Sequence, residues 1–128
     1  MILFDTHAAI WLSLEPGRLS RTARKAIEES GPADLALSVL SVYEVTWLIV
    51  RGRIAVRDPV ETFVRNLTTR FDVRPVTPAI AAAAAQLPSA FPSDPFDRII
   101  AATAIVERIP LVTADLRIRR SRALPTLW

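Results

Sequence analysis

Residues 94–115 read D-P-F-D-R-I-I-A-A-T-A-I-V-E-R-I-P-L-V-T-A-D. Asp94 directly before Pro95 is a helix start: the aspartate caps the first-turn N–H groups, and proline at the first helical position loses no needed donor. The apolar-rich run behind it predicts a helix from Pro95 to about Arg108. Ile109–Thr113 then reads as a buried strand, and Asp115 follows it. Small residues at Ala101 and Ala104 share a face with Asp97, so that face can lie close to a sheet edge. A helix that feeds a short apolar strand, with acids at both ends, sets the terms for the rest of the chain.

Outward from this stretch the alternation repeats. Met1–Phe4 predicts a first strand, ended by Asp5, and Thr6–Leu14 a helix stopped at Pro16-Gly17. Ser20 is placed to cap a helix over Arg21–Ser30, and Leu35–Val39 is the second strand candidate. Ser41-Val-Tyr-Glu44 matches a capping box, which predicts a helix from Ser41 to about Val50. Asp58-Pro59 and Thr77-Pro78 repeat the cap-then-proline device, opening helices with Val60, Phe63, Val64 and Leu67 on one face and with the alanine-rich run Ala79–Leu87. Asp72–Val76 and Leu124–Trp128 complete the strand candidates, the latter as an edge where Pro125 is tolerated. Strands alternating with helices, without tight hairpins, predict a three-layer α/β/α sandwich around a mostly parallel central sheet of four to five strands. No repeat or linker interrupts it, so residues 1–128 are expected to form a single domain.

Sheets of this kind bind ligands at the carboxyl ends of their strands. Asp5, Glu44, Asp94, Asp97 and Asp115 all fall near that rim if the connections are right-handed crossovers. Each alone also reads as a helix cap, with Asp5 and Asp115 starting helices of their own. Together they need a further reason, because two like charges ~4 Å apart cost about 4 kcal/mol at an effective dielectric near 20. A hard divalent cation such as Mg²⁺ or Mn²⁺ supplies one, since it takes oxygen ligands and keeps several waters. The chemistry implied is metal-assisted hydrolysis of a phosphodiester. Asp94 is assigned to the helix cap and Asp97 to the metal.

The composition narrows the alternatives. No cysteine occurs, which removes disulfides, thiol nucleophiles and Cys-zinc sites and fits a reducing compartment. His7 is the only histidine, so no Ser-His-Asp set is available; it reads as a polar helix residue. Net charge is +3 and Lys25 is the only lysine among 16 basic residues. Arginine suits forked recognition of phosphate. Apolar stretches are too short to span a bilayer and the N-terminus lacks a basic leader, so a cytoplasmic protein without membrane association is expected.

The motifs I-L-F-D-T-H, S-V-Y-E-V, D-P-F-D-R-I-I-A-A-T-A and L-V-T-A-D, in this order and spacing, resemble a PIN-domain ribonuclease, most closely the VapC-type toxin of a toxin–antitoxin pair. By that resemblance Asp5, Glu44, Asp97 and Asp115 form an acidic quartet holding Mg²⁺ or Mn²⁺, and Thr113 places a hydroxyl beside it. The resemblance further implies an RNA substrate, a homodimer, and a cognate antitoxin whose tail enters the acidic crevice. Arg98, Arg117 and Arg120, with Arg119 and Arg122, are the candidates for RNA contact. Two other readings stay open: a PIN-like module that binds RNA or protein without cutting, and a phosphomonoesterase. The second is weakened because Asp5-Thr6-His7 lacks a paired acid and Lys25 lies on a different helix.

Overall fold

Ile2 and Phe4 turn to one side of the first strand and Leu3 to the other, and all three are buried. That two-sided burial is the signature of a central strand in a parallel sheet. The computed structural model describes all residues from Met1 to Trp128. Its elements are β1 (Ile2–Phe4), α1 (Thr6–Leu14), α2 (Arg21–Ser30), β2 (Leu35–Ser38), α3 (Val39–Val50), α4 (Val60–Arg70), β3 (Asp72–Arg74), α5 (Pro78–Ala85), α6 (Pro95–Glu107), β4 (Leu111–Val112), α7 (Leu116–Ser121) and β5 (Thr126–Leu127). Short 3-10 turns cover Pro16–Arg18 and Pro32–Asp34.

The five strands pair in the order β3-β2-β1-β4-β5, and every pairing is parallel. One face of the sheet, through Ile2, Phe4, Leu35, Leu37 and Val112, packs on α1, α2, α3 and α4. The other face, through Leu3, Ala36 and Leu111, packs on α6 and α7. The result is the expected three-layer sandwich. Ile80 and Ala84 of the alanine-rich α5 pack on Ala102 of α6, so the small side chains serve close helix contact rather than low complexity.

Strand order runs leftward from β1 through β2 to β3, then returns to the right of β1 with β4 and β5. The reversal leaves a gap between the departing chains at the ends of β1 and β4, the place where parallel α/β sheets hold their ligands. Register carries Asp5 into that gap. Phe4 pairs with Val112, and the next backbone N–H, that of Asp5, still donates to Val112 at 3.0 Å.

Two expected helix starts are corrected. The helix after β2 begins at Val39, not after Ser41: Ser38 ends the strand and its hydroxyl caps the helix by accepting from Leu40 N–H at 3.2 Å. Ser41 is fully buried and accepts a 3.1 Å hydrogen bond from the Thr6 hydroxyl, so no capping box forms with Glu44. Glu44 consequently sits in the second turn of α3. The helix after Asp58 begins at Val60; the extended backbone of Pro59 (ψ 148°) places that proline before the helix, and no side chain caps it. Strands β3 and β4 are also shorter than expected: β3 ends at Arg74, before Pro75, and β4 covers only Leu111–Val112, after Pro110, which has no N–H to donate.

Candidate active site

The carboxyl-end gap opens into a cleft of about 360 Å³ lined by five carboxylates, Asp5, Glu44, Asp94, Asp97 and Asp115, with Thr6, His7, Trp11, Ala114 and Arg117. The acids come from strand ends, helix caps and helix turns. Asp5 leaves β1 and caps α1, accepting from Ala8 N–H at 2.7 Å. Asp115 follows β4 and caps α7, accepting from Arg117 N–H at 2.8 Å and Ile118 N–H at 3.4 Å. Asp94 caps α6, accepting from Asp97 N–H at 3.1 Å. Asp97 belongs to the first turn of α6 and Glu44 to the second turn of α3. Capping and a place in the cleft are therefore not alternatives. A carboxylate has two oxygens, and the caps fix the headings of three of these groups.

Charge crowding shows in the protonation equilibria. Burial, then the carboxylates of Asp94, Asp115, Glu44 and Asp5, push the Asp97 carboxyl up to about 6. Burial also raises Asp5, against hydrogen bonds from the Thr113 hydroxyl and Ala8 N–H that favour its charged form. Thr113 is fully buried, and its hydroxyl accepts from Asp115 N–H at 3.1 Å. One hydroxyl thus joins the two aspartates that leave β1 and β4. Burial works on Asp115 in the same upward sense, but hydrogen bonds from Arg117 and the two cap N–H groups outweigh it and hold Asp115 below the ordinary carboxylate range.

The arginines divide. Arg117 lines the cleft and reaches Asp115 Oδ2 through Nη2 at 3.2 Å while remaining 71% exposed. Arg120 is exposed on α7 and does not line the cleft. Arg98, expected as an RNA contact, is spent elsewhere. Its guanidinium donates to five backbone carbonyls, those of Ala84, Leu87, Pro88, Phe91 and Pro92, at 3.0–3.4 Å. It ties the end of α5 and the following loop to α6, one residue from Asp97, which leaves none of its five N–H groups uncommitted for a phosphate. Its sequence signal was charge alone, and charge does not distinguish a carbonyl clamp from a phosphate contact. His7 and Trp11 were not expected at the site; they reach it because α1 starts at Asp5 and presents its first turns along the cleft.

No three Asp, Glu or His side chains are arranged to grip one metal ion together. The donor chemistry nevertheless fits a hard divalent cation: the acids offer only oxygen, and Mg²⁺ commonly takes one or two carboxylates and retains waters.

Fold and cleft define an all-parallel α/β protein with a carboxylate-lined crevice at the strand-order reversal. The chain belongs to the PIN-domain family, whose model matches residues 2–124. It is 43% identical over 121 residues to Ribonuclease VapC22 of Mycobacterium tuberculosis, covering 94% of this chain and 92% of that protein. Among solved structures it is similar to a toxin–antitoxin complex from Klebsiella pneumoniae, with a TM-score of 0.66, 26% identity and coverage of 90% and 87%. VapBC-1 from nontypeable Haemophilus influenzae superposes with a TM-score of 0.75 over 98% of this chain and 96% of that one, at 18% identity, and shares the fold.

Proposed function

We propose that the protein is a Mg²⁺- or Mn²⁺-dependent endoribonuclease and the toxin of a toxin–antitoxin pair. The observation that carries this reading is the gathering of five carboxylates at the reversal point of the sheet, with Asp97 pushed up to about 6 by burial and its neighbours. Family membership and the relatedness to a VapC ribonuclease support it. In this reading Asp5 and Asp97 are the principal metal ligands, and Glu44 and Asp115 complete the set directly or through water. A divalent ion held by these acids would offset the carboxylate charge and supply Lewis acidity for a bound water and for the phosphoryl oxygens. The chain's own groups do the positioning. Thr113 fixes Asp5 relative to Asp115, Asp94 sets the first turn that presents Asp97, and Arg117 turns from Asp115 to the scissile phosphate. Lys25 is paired with Glu29 on α2 at 3.7 Å, away from the cleft, so no lysine serves a phosphomonoesterase site.

The same proposal takes residues 1–128 as one domain, because a single sheet collects strands from Ile2 to Leu127. It assigns a cognate antitoxin as partner, on the likeness to toxin–antitoxin complexes, and a cytoplasmic address; no helix is long and apolar enough to cross a membrane. It also assigns a homodimer. Val39, Tyr43, Trp47 and Val50 form an exposed apolar stripe along α3, 40–69% accessible, and Phe96 stacks on Tyr43 with centroids 6.0 Å apart. Such a stripe suits the same stripe of a second copy. The nuclease proposal is tested by incubating the purified chain with RNA: cleavage should require Mg²⁺ or Mn²⁺ and stop with EDTA. Persistent cleavage in EDTA would contradict the metal assignment.

A further inference from the structure

The acidic cleft poses an electrostatic difficulty for a nucleic-acid substrate. Five carboxylates face one cation, Arg117, so the cleft by itself repels the phosphates on either side of a bound one. Positive charge must therefore lie where the chain enters or leaves. A second cleft of about 550 Å³ shares His7 and Trp11 with the first, so the two meet at the side chains of α1. Arg18 and Arg53 also line it.

Both arginines are held in place with their charge still available. Arg18 lies over Trp11, with its guanidinium carbon 4.4 Å from the ring centroid, and the Trp11 ring in turn packs on Trp128 at 5.6 Å. The guanidinium is thereby stacked on an aromatic ring while more than half exposed. Its pairing with Glu15 at 3.7 Å is between exposed side chains and holds it weakly. Arg53 follows Gly52, whose φ of +70° lets the chain turn off the end of α3. The Arg53 N–H is anchored to Leu48 at 2.8 Å, while its exposed side chain makes no ion pair or hydrogen bond. A planar cation on an aromatic support beside a free arginine is the combination that takes bases by stacking and backbone phosphates by charge.

We propose that this second cleft is the track for the single-stranded RNA flanking the scissile phosphate. His7 and Trp11 form the passage out of the acidic cleft, and Arg18, held on Trp11, and Arg53 each contact a backbone phosphate along the track. The proposal rests on the nuclease reading above and adds the direction in which the substrate leaves the site. Leu48 and Ile54 also line the track, so a protein segment is the competing occupant.

The test uses the full chain carrying Asp97→Asn to prevent turnover. Binding of a fluorescently labelled, unstructured RNA oligonucleotide is followed by anisotropy over a range of KCl in Mg²⁺. Adding Arg18→Gln and Arg53→Gln, which keep the aliphatic stems, should weaken binding about tenfold or more. It should also flatten the dependence of log affinity on log salt by about 1.4, at ~0.7 per phosphate contact on single strands. Arg65→Ala on α4 removes one charge away from both clefts and should leave the slope unaltered. If the double variant keeps the affinity and slope of its parent, the track is refuted and the second cleft is left to a protein ligand. Cleavage by the unsubstituted chain, measured in parallel, separates the two claims. Its absence refutes the nuclease reading, whereas cleavage with an unaltered salt slope refutes only the track.

Discussion

Asp97 carries two opposed demands. It lies in the first turn of α6, where the helix dipole favours a carboxylate, yet burial and four neighbouring carboxylates push it up to about 6. In the metal-free protein the folded carboxyl therefore holds its proton more tightly than the unfolded one, whose pKa is near 3.8. The linkage has a definite sign: Asp97's contribution is most favourable below about pH 4, is lost as pH rises through about 6, and is constant above that. The full shift corresponds to about 3 kcal/mol, and solvent screening of a partly exposed side chain reduces it to about 1–2 kcal/mol. Asp97→Asn should accordingly stabilise the metal-free protein by about that amount at pH 7.5 and by little at pH 4, as read by urea denaturation in EDTA. Equal effects at the two pH values would contradict the crowding. Arg98 makes the contrasting residue-scale prediction. Arg98→Met should cost about 2–4 kcal/mol, because five carbonyls lose a charged donor, and should not change the salt dependence of RNA binding. Urea denaturation and the anisotropy assay check the two halves.

At the scale of elements, the α1–α3 pair decides how Asp5 and Glu44 face each other. Thr6 and Ser41 join these helices by a buried hydrogen bond at 3.1 Å, while Ser38 caps α3. Ser41→Ala should cost about 1–2 kcal/mol by orphaning the Thr6 hydroxyl, and Ser38→Ala about 1 kcal/mol by removing a cap. Differential urea denaturation distinguishes them from the capping-box arrangement, in which Ser41→Ala would act as cap loss and Ser38→Ala would be nearly neutral. These two serines also show where sequence reading reaches its limit. Asp94-Pro95 and Thr77-Pro78 were legible because a capping side chain and a proline agree on the start, and Asp94 and Thr77 do cap α6 and α5 there. Ser38 and Ser41 offered two starts with no such restriction, and tertiary burial of Ser41 chose between them. Asp58-Pro59 misled for a related reason: proline is compatible with the first helical position but equally with the extended residue before it. Arg98 and the His7–Trp11 passage were illegible because their roles depend on chain segments brought together only by the fold.

For the whole molecule, the legible features were those set by topology. Alternating strands and helices implied a parallel sheet, and a parallel sheet implied a carboxyl-end crevice; the strand order then put Asp5 beside Thr113 and Asp115. The exposed face of α3 was less legible, since its apolar residues run around the helix and only packing shows which remain uncovered. Val50 is the most exposed of them at 69%. On the proposed homodimer, Val50→Asp, whose position makes no packing demand within one copy, should convert dimer to monomer by light scattering, with far-UV circular dichroism unchanged. A dimer that survives this charge would place the interface elsewhere.

The carboxylates at the sheet reversal are proposed to hold a divalent ion for RNA hydrolysis. The most direct measurement compares RNA cleavage by the unsubstituted chain and by Asp97→Asn in Mn²⁺ or Mg²⁺, with urea denaturation confirming that both are folded. The unsubstituted chain should cleave, and EDTA should stop it. The folded Asp97→Asn protein should lose cleavage by at least about a hundredfold, the scale of losing a principal electrostatic contribution of about 3 kcal/mol. Cleavage by folded Asp97→Asn at the unsubstituted rate, or cleavage that continues in EDTA, would contradict the account.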